Sequence, residues 1–173
     1  MYLKIIGSLL IIMACSGYGF SKGKEYKKHL DELDELRRIV LMFESEISYS
    51  KMPLGELAGR ISRKVDNPYK KWLGRLSFSL SKEANESLSE IWKREAEILL
   101  TELSLKKEEQ EDLKNLGIQI GNFNIQMQEN SFRWYAMQLE EQRMKLAGEV
   151  SEKQRLCNSL GVLTGIFLVI LLI

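Results

Sequence analysis

Residues 41–57 read LMFESEISYSKMPLGEL, and this stretch divides the chain. Leu41, Phe43, Ile47 and Leu54 are its apolar members. Glu44 and Glu46 set two carboxylates among them, and Tyr49 adds a ring with a polar tip. Pro53 has no N–H and crowds the residue before it, so a helix arriving from the N-terminal side stops at Met52-Pro53. Proline also suits the first turn of a new helix. The stretch is therefore predicted to be the end of one long helix, a sharp change of direction and the start of another helix.

The same helical spacing extends on both sides. Upstream, Leu30, Leu33, Leu36 or Arg37, Val40, Phe43 and Ile47 recur every three or four residues, which predicts a helix over 22–50 with Glu32, Asp34, Glu35 and Arg38 on its polar face. Downstream, residues 53–65 carry Leu54, Leu57, Ala58 and Ile61 on one face. Asp66-Asn67-Pro68 is a turn signal. A third helix is predicted over 68–81 and a fourth over 87–103, with Trp72 and Trp92 as core fillers. Ser104 is expected to cap a fifth, 105–120, whose KKEEQED run reads as a solvated face. Gly117 and Gly121 stand four apart in LGIQIG, as a candidate helix turn. Gly121 fits a helix stop, and Asn122 or Asn124 fits the next N-cap. A last helix is predicted from about Phe123 through Cys157, with Phe132, Tyr135 or Ala136, Leu139, Leu146 and Val150 on its stripe. The expected fold is all-α, a helical bundle of about six helices. The first and last are long enough to pair antiparallel.

Both ends of the chain are apolar. Residues 2–20, YLKIIGSLLIIMACSGYGF, would rise about 28 Å as a helix, and residues 156–173, LCNSLGVLTGIFLVILLI, about 27 Å. Each matches a bilayer core, so the long helices are expected to continue into N- and C-terminal transmembrane spans flanking a middle domain, 21–155. Gly161 and Gly165 form a G-x-x-x-G pair for membrane packing. Lys22, Lys24, Lys27 and Lys28 on one flank, with Lys153 and Arg155 on the other, border that domain. The positive-inside rule then places it in the cytoplasm. The alternative is a signal peptide with Cys15 lipidated after cleavage, which would make the chain a processed surface lipoprotein with an extracellular helical binding domain.

Composition excludes several functions. Apart from Lys4, all charges fall between residues 21 and 155, where 24 basic residues face 24 acidic ones. That is no field for nucleic acid. One histidine and two separated cysteines give no metal-ligand spacing. No phosphate loop, G-x-G-x-x-G or H-E-x-x-H occurs. His29 has charged neighbours and is expected to be a solvated surface imidazole. Glu44 and Glu46, two residues apart, point to different helix faces and make no acid–base pair. No catalytic residue and no cofactor is expected. Glu44 is read as a buried or interfacial acid paired to a base on another helix, and Glu46 as a surface or partner contact.

The chain resembles the stage III sporulation protein AB family of endospore-forming bacteria. Four stretches carry the likeness: KIIGSLLIIMACSGYGF (4–20), FESEISYSKMPLGEL (43–57), LGIQIGNFN (116–124) and LGVLTGIFLVILLI (160–173). Residues 43–57 resemble the family's F-E-x-E-I-x-Y-x-x-x-P-L motif, and this is the most specific of the four. Asn124 stands where the family usually has an acid, and Ile120 replaces a leucine. The resemblance implies an F-domain similar to the platform proteins of type II secretion and type IV pilus machines. It also implies a place in the mother-cell membrane around the forespore, within a transenvelope channel complex. A non-enzymatic scaffold is expected, with the bilayer, a cytoplasmic secretion-type ATPase and other membrane subunits as partners, and with homo-oligomerisation left open. Glu44, Glu46, Tyr49, Pro53 and Leu54 are the candidates for partner docking or for organising the bundle.

Overall fold

The computed structural model describes residues 2–50, 52–82, 86–121 and 125–172, with side chains over 24–50, 52–82, 86–121 and 126–150. It contains six helices: α1 (Tyr2–Ser50), α2 (Leu54–Ser62), α3 (Tyr69–Lys82), α4 (Leu88–Leu100), α5 (Lys107–Gly121) and α6 (Ile125–Leu172). The described residues hold no strand. The chain divides into two compact units, Met1–Leu30 with Arg143–Ile173, and Asp31–Gln142.

In the first unit His29 and Leu146 are buried. His29 is therefore not the solvated imidazole that its charged neighbours suggest. It stands four residues before Leu33, on the apolar stripe of α1, and helical phase outweighs the charge of its sequence neighbours. The apolar runs 2–20 and 156–173, with Gly161 and Gly165, lie outside the described side chains. Among the described residues no helix is long and apolar enough to cross a membrane.

The other unit is held by one aromatic cluster, with a ring each from α1, α3, α4 and α6. Phe43 stacks on Phe132 at 5.1 Å, and Trp92 meets Phe43, Trp72 and Phe132 edge-on at 6.3, 5.4 and 6.2 Å. Such edge and offset contacts add about 0.5–1.5 kcal/mol each beyond area burial. Trp92 Nε1 donates to the Leu113 carbonyl of α5 at 2.8 Å, which satisfies its polar edge. Leu33, Leu36, Ile39, Val40 and Ile47 of α1 and Leu139 of α6 complete the buried stripes. Arg133 of α6 meets Glu44 of α1, and Glu140 of α6 lies 2.9 Å from Arg37 of α1. Residue numbers rise on one helix as they fall on the other, so the two run antiparallel in this unit.

Helix α2 packs closely on α3, and α4 on α5. Each pair has a G-x-x-x-G at its contact. A Cβ on Gly55 would stand 3.0 Å from Leu80 Cβ, and one on Gly59 2.7 Å from Ser77 Oγ. On α5, a Cβ on Gly117 would land 2.6 Å from Trp92 Cγ, and one on Gly121 3.1 Å from Ser89 Cβ. Gly117 thus lies inside a helix, where the backbone must approach an indole, and not at a turn. Gly121 does end α5, and Asn122 lies outside the described residues.

Three polar residues are also placed differently from their sequence reading. Glu32 is buried; its carboxylate accepts from the Ser104 backbone N–H at 2.7 Å, and its carbonyl accepts from the Tyr69 hydroxyl at 2.9 Å. Helix α5 begins at Lys107, three residues past Ser104. Glu109, within the charge run, is buried and accepts from the Lys106 N–H at 2.7 Å. A carboxylate on the N-terminal N–H groups offsets donors that the helix leaves unpaired.

Candidate functional site

The corner of α1 and α2 is built by the stretch that divides the sequence. Phe43, Ile47 and Leu54 enter the core, with Leu54 only 7% exposed. Ser50 closes the end of α1: its hydroxyl donates to the Glu46 carbonyl at 2.7 Å and accepts from the Met52 N–H at 3.4 Å. Pro53 is the N-cap of α2, and its carbonyl accepts from the Glu56 and Leu57 N–H groups at 3.0 and 3.1 Å.

The two acids brace this corner in different directions, as their spacing requires. Glu44 accepts from Arg133 Nε of α6 at 2.7 Å, and Arg133 also reaches Glu129 at 2.7 Å. The hydrogen bond and charge of Glu44, helped by Glu129, raise the Arg133 pKa further. Glu46 takes Arg60 of α2 at 3.2 Å and Lys64, just beyond it, at 3.5 Å. Glu46 is thus tied to this chain's own α2. Of the five candidates, Leu54 is core, Glu44 and Glu46 are braces, and Pro53 is a cap. Pro53 is exposed as well, and Tyr49 projects outward furthest, at 92% exposed.

Beside Tyr49 runs a shallow open groove of about 540 Å³ between α1 and α6. Leu41, Glu44, Ser45 and Ser48 line it from α1, and Glu129 and Arg133 from α6. Beyond Arg133 the outward side of α6 carries Trp134 and Met137, 69% and 58% exposed. The core-facing residues Phe132, Tyr135, Ala136 and Leu139 occupy the opposite side of that helix. Trp134 and Met137 are not among the sequence-based candidates, although the sequence carries their signal. Met127 and Trp134 are seven apart and Met137 follows three later, an apolar stripe out of phase with the inward one.

An exposed tyrosine and tryptophan offer broad, stiff apolar surface at low entropic cost, which is the chemistry of a docking surface. Among the described residues no group of three or more His, Cys, Asp or Glu side chains could hold a metal ion.

The sequence profile described as Stage III sporulation protein AB (spore_III_AB) matches residues 4–173. The chain belongs to the stage III sporulation protein AB family. Stage III sporulation protein AB of Bacillus subtilis (strain 168) is 27% identical over 170 residues, covering 98% of this chain and 99% of that one. A solved structure of stage III sporulation protein AB (SpoIIIAB) superposes with a TM-score of 0.65 at 23% identity. It covers 72% of this chain and 97% of that one, which shows a shared fold.

Proposed function

We propose that this family member is a non-enzymatic scaffold of a sporulation channel complex in the mother-cell membrane around the forespore. Its terminal apolar runs anchor it by two spans, and the residues between them stand in the cytoplasm. There they couple a secretion-type ATPase to membrane subunits of the complex. The observation that carries the reading is the division of labour in the 43–57 motif, where Glu44, Glu46 and Leu54 are engaged within the bundle, Pro53 caps α2 at the surface and the Tyr49 ring faces out beside the α1–α6 groove. The docking surface is then Tyr49, the groove, and Trp134 with Met137.

Co-purification of the ATPase from sporulating cells tests this with two classes of variant. Tyr49→Ala and Trp134→Ala are expected to lower the recovered ATPase several-fold with the melting temperature unchanged. Glu46→Lys places a cation against Arg60 and Lys64, so it is expected to lower the melting temperature as well as binding. Full recovery with both outward rings removed would reject the docking surface.

A further inference from the structure

Helix α6 carries two seams, and the fold covers one of them. Phe132, Tyr135, Ala136 and Leu139 are buried against the bundle. Half a turn away, Met127, Asn130, Trp134, Met137 and Glu141 follow one another at intervals of three and four residues, and all five are exposed. Positions 127, 134 and 141, with 130 and 137 between them, repeat every seven residues. That is the period of a helix that packs along another helix. The apolar members, Met127, Trp134 and Met137, are 49%, 69% and 58% exposed.

Hydrogen bonds fix which way this seam faces. On one side of it Arg133 donates to Glu44 of α1, and Glu140 lies 2.9 Å from Arg37 of α1. On the other side Gln138 and Gln142 donate to Asp112 of α5 at 2.6 and 3.0 Å. The seam therefore points outward between α1 and α5. Its border is acidic among the described residues of the unit Asp31–Gln142. From α1 the border receives Arg37 and Glu44, and from α5 Asp112, while the Glu111–Lys114 pair of α5 cancels itself. Helix α6 supplies Glu129, Arg133, Glu140 and Glu141. Both arginines are already held by acids of the same border. A second copy laid seam to seam would set acids against acids, which is unfavourable. An anionic membrane surface would be repelled in the same way.

We infer that the outward seam of α6 receives one basic amphipathic helix of another protein. The apolar face of that helix meets Met127, Trp134 and Met137, and its lysines or arginines meet the acids on either side. This rests on the docking surface proposed above and names the kind of partner that docks there. Methionine side chains adapt to a helix laid against them, and the tryptophan ring supplies a stiff anchor. A helix with a basic polar face matches such a surface in both period and charge.

Trp134 reports on the seam through its own fluorescence, because Trp72 and Trp92, the two other tryptophans, are each 1% exposed. The full chain in a neutral detergent is titrated with a tryptophan-free synthetic peptide of three Leu-Lys heptads. Its Leu-Glu counterpart and a scrambled basic peptide without the period serve as comparisons. The Leu-Lys peptide is expected to shift the emission to the blue and to cut acrylamide quenching several-fold, with the effect lost at raised salt. Trp134→Phe is expected to show no shift, and Met137→Gln to weaken the peptide several-fold with the melting temperature unchanged. Protection by the Leu-Glu or scrambled peptide as strong as by the Leu-Lys one, or protection by none, would overturn the inference alone, provided that Trp134→Ala still loses the ATPase. Full ATPase recovery with both Tyr49 and Trp134 replaced by alanine would remove the docking surface and the inference with it. Protection of Trp134 that rises with protein concentration in the absence of peptide would assign the seam to a second copy and overturn the basic-helix assignment.

Discussion

Tyr69 and Tyr135 are both buried, yet their hydroxyls stand in different situations. The Tyr69 hydroxyl donates to the Glu32 carbonyl, whereas the Tyr135 hydroxyl has no partner among the described residues. Losing a made hydrogen bond and stranding its acceptor costs about 1–2 kcal/mol, whereas removing an unpaired buried hydroxyl costs nothing or stabilises. Tyr69→Phe is expected to lower the melting temperature by several degrees, and Tyr135→Phe to leave it unchanged or raise it, as differential scanning fluorimetry can show. Burial, with Glu32 and Glu35 nearby, pushes the Tyr69 pKa well above its usual 10.0. Burial does the same for Tyr135, helped by Asp112 and Glu109. A raised folded-state pKa gives stability that is complete below the unfolded value and is lost as pH rises beyond it. Stability is therefore expected to fall above about pH 10, with these two rings ionising only as the protein unfolds. Tyrosinate absorbance followed alongside circular dichroism checks this, and full ionisation in the folded state would contradict it.

At the scale of elements, glycines decide which helix pairs close. Gly117→Ala drives a methyl into the Trp92 indole, which is fixed by its Leu113 bond, and is expected to cost about 1–3 kcal/mol. Gly74, on the exposed side of α3, has nothing within 4 Å of where a Cβ would stand. Gly74→Ala is expected to gain about 0.5–1 kcal/mol from helix propensity. Urea denaturation of the two variants measures both. The helices themselves are legible in the sequence, because apolar residues at three- and four-residue spacing mark them from Leu33 to Leu139. Their close pairing is not. Gly55 and Gly59 read as ordinary residues of a short helix, and Gly117 as a turn, because a glycine's reason is its neighbour across the contact. Ser87 and Glu90 close a capping box at the start of α4, which the apolar spacing by itself does not mark. Glu32 reads as surface because its burial is compensated by Ser104, 72 residues away in sequence.

For the whole molecule, the candidate site is legible as a stretch and not as roles. Sequence spacing separates Glu44 from Glu46, but only the fold shows that Arg133 and Arg60 occupy them and that the Tyr49 ring faces out. Trp134 is hidden by the stronger inward stripe of the same helix. Two spans flanking a cytoplasmic portion predict that a reporter inserted after Lys82 is active on the cytoplasmic side, and external activity with lipid on Cys15 would instead support the lipoprotein alternative.

The most direct measurement is site-specific photo-crosslinking in sporulating cells, with a photoreactive residue replacing Tyr49 in the full-length chain and the products identified by mass spectrometry. A scaffold that docks through this corner predicts crosslinks from position 49 to the cytoplasmic ATPase or to a membrane subunit of the complex, and none from the buried position 57. Crosslinks confined to this chain's own α6, or the same products from both positions, would contradict it.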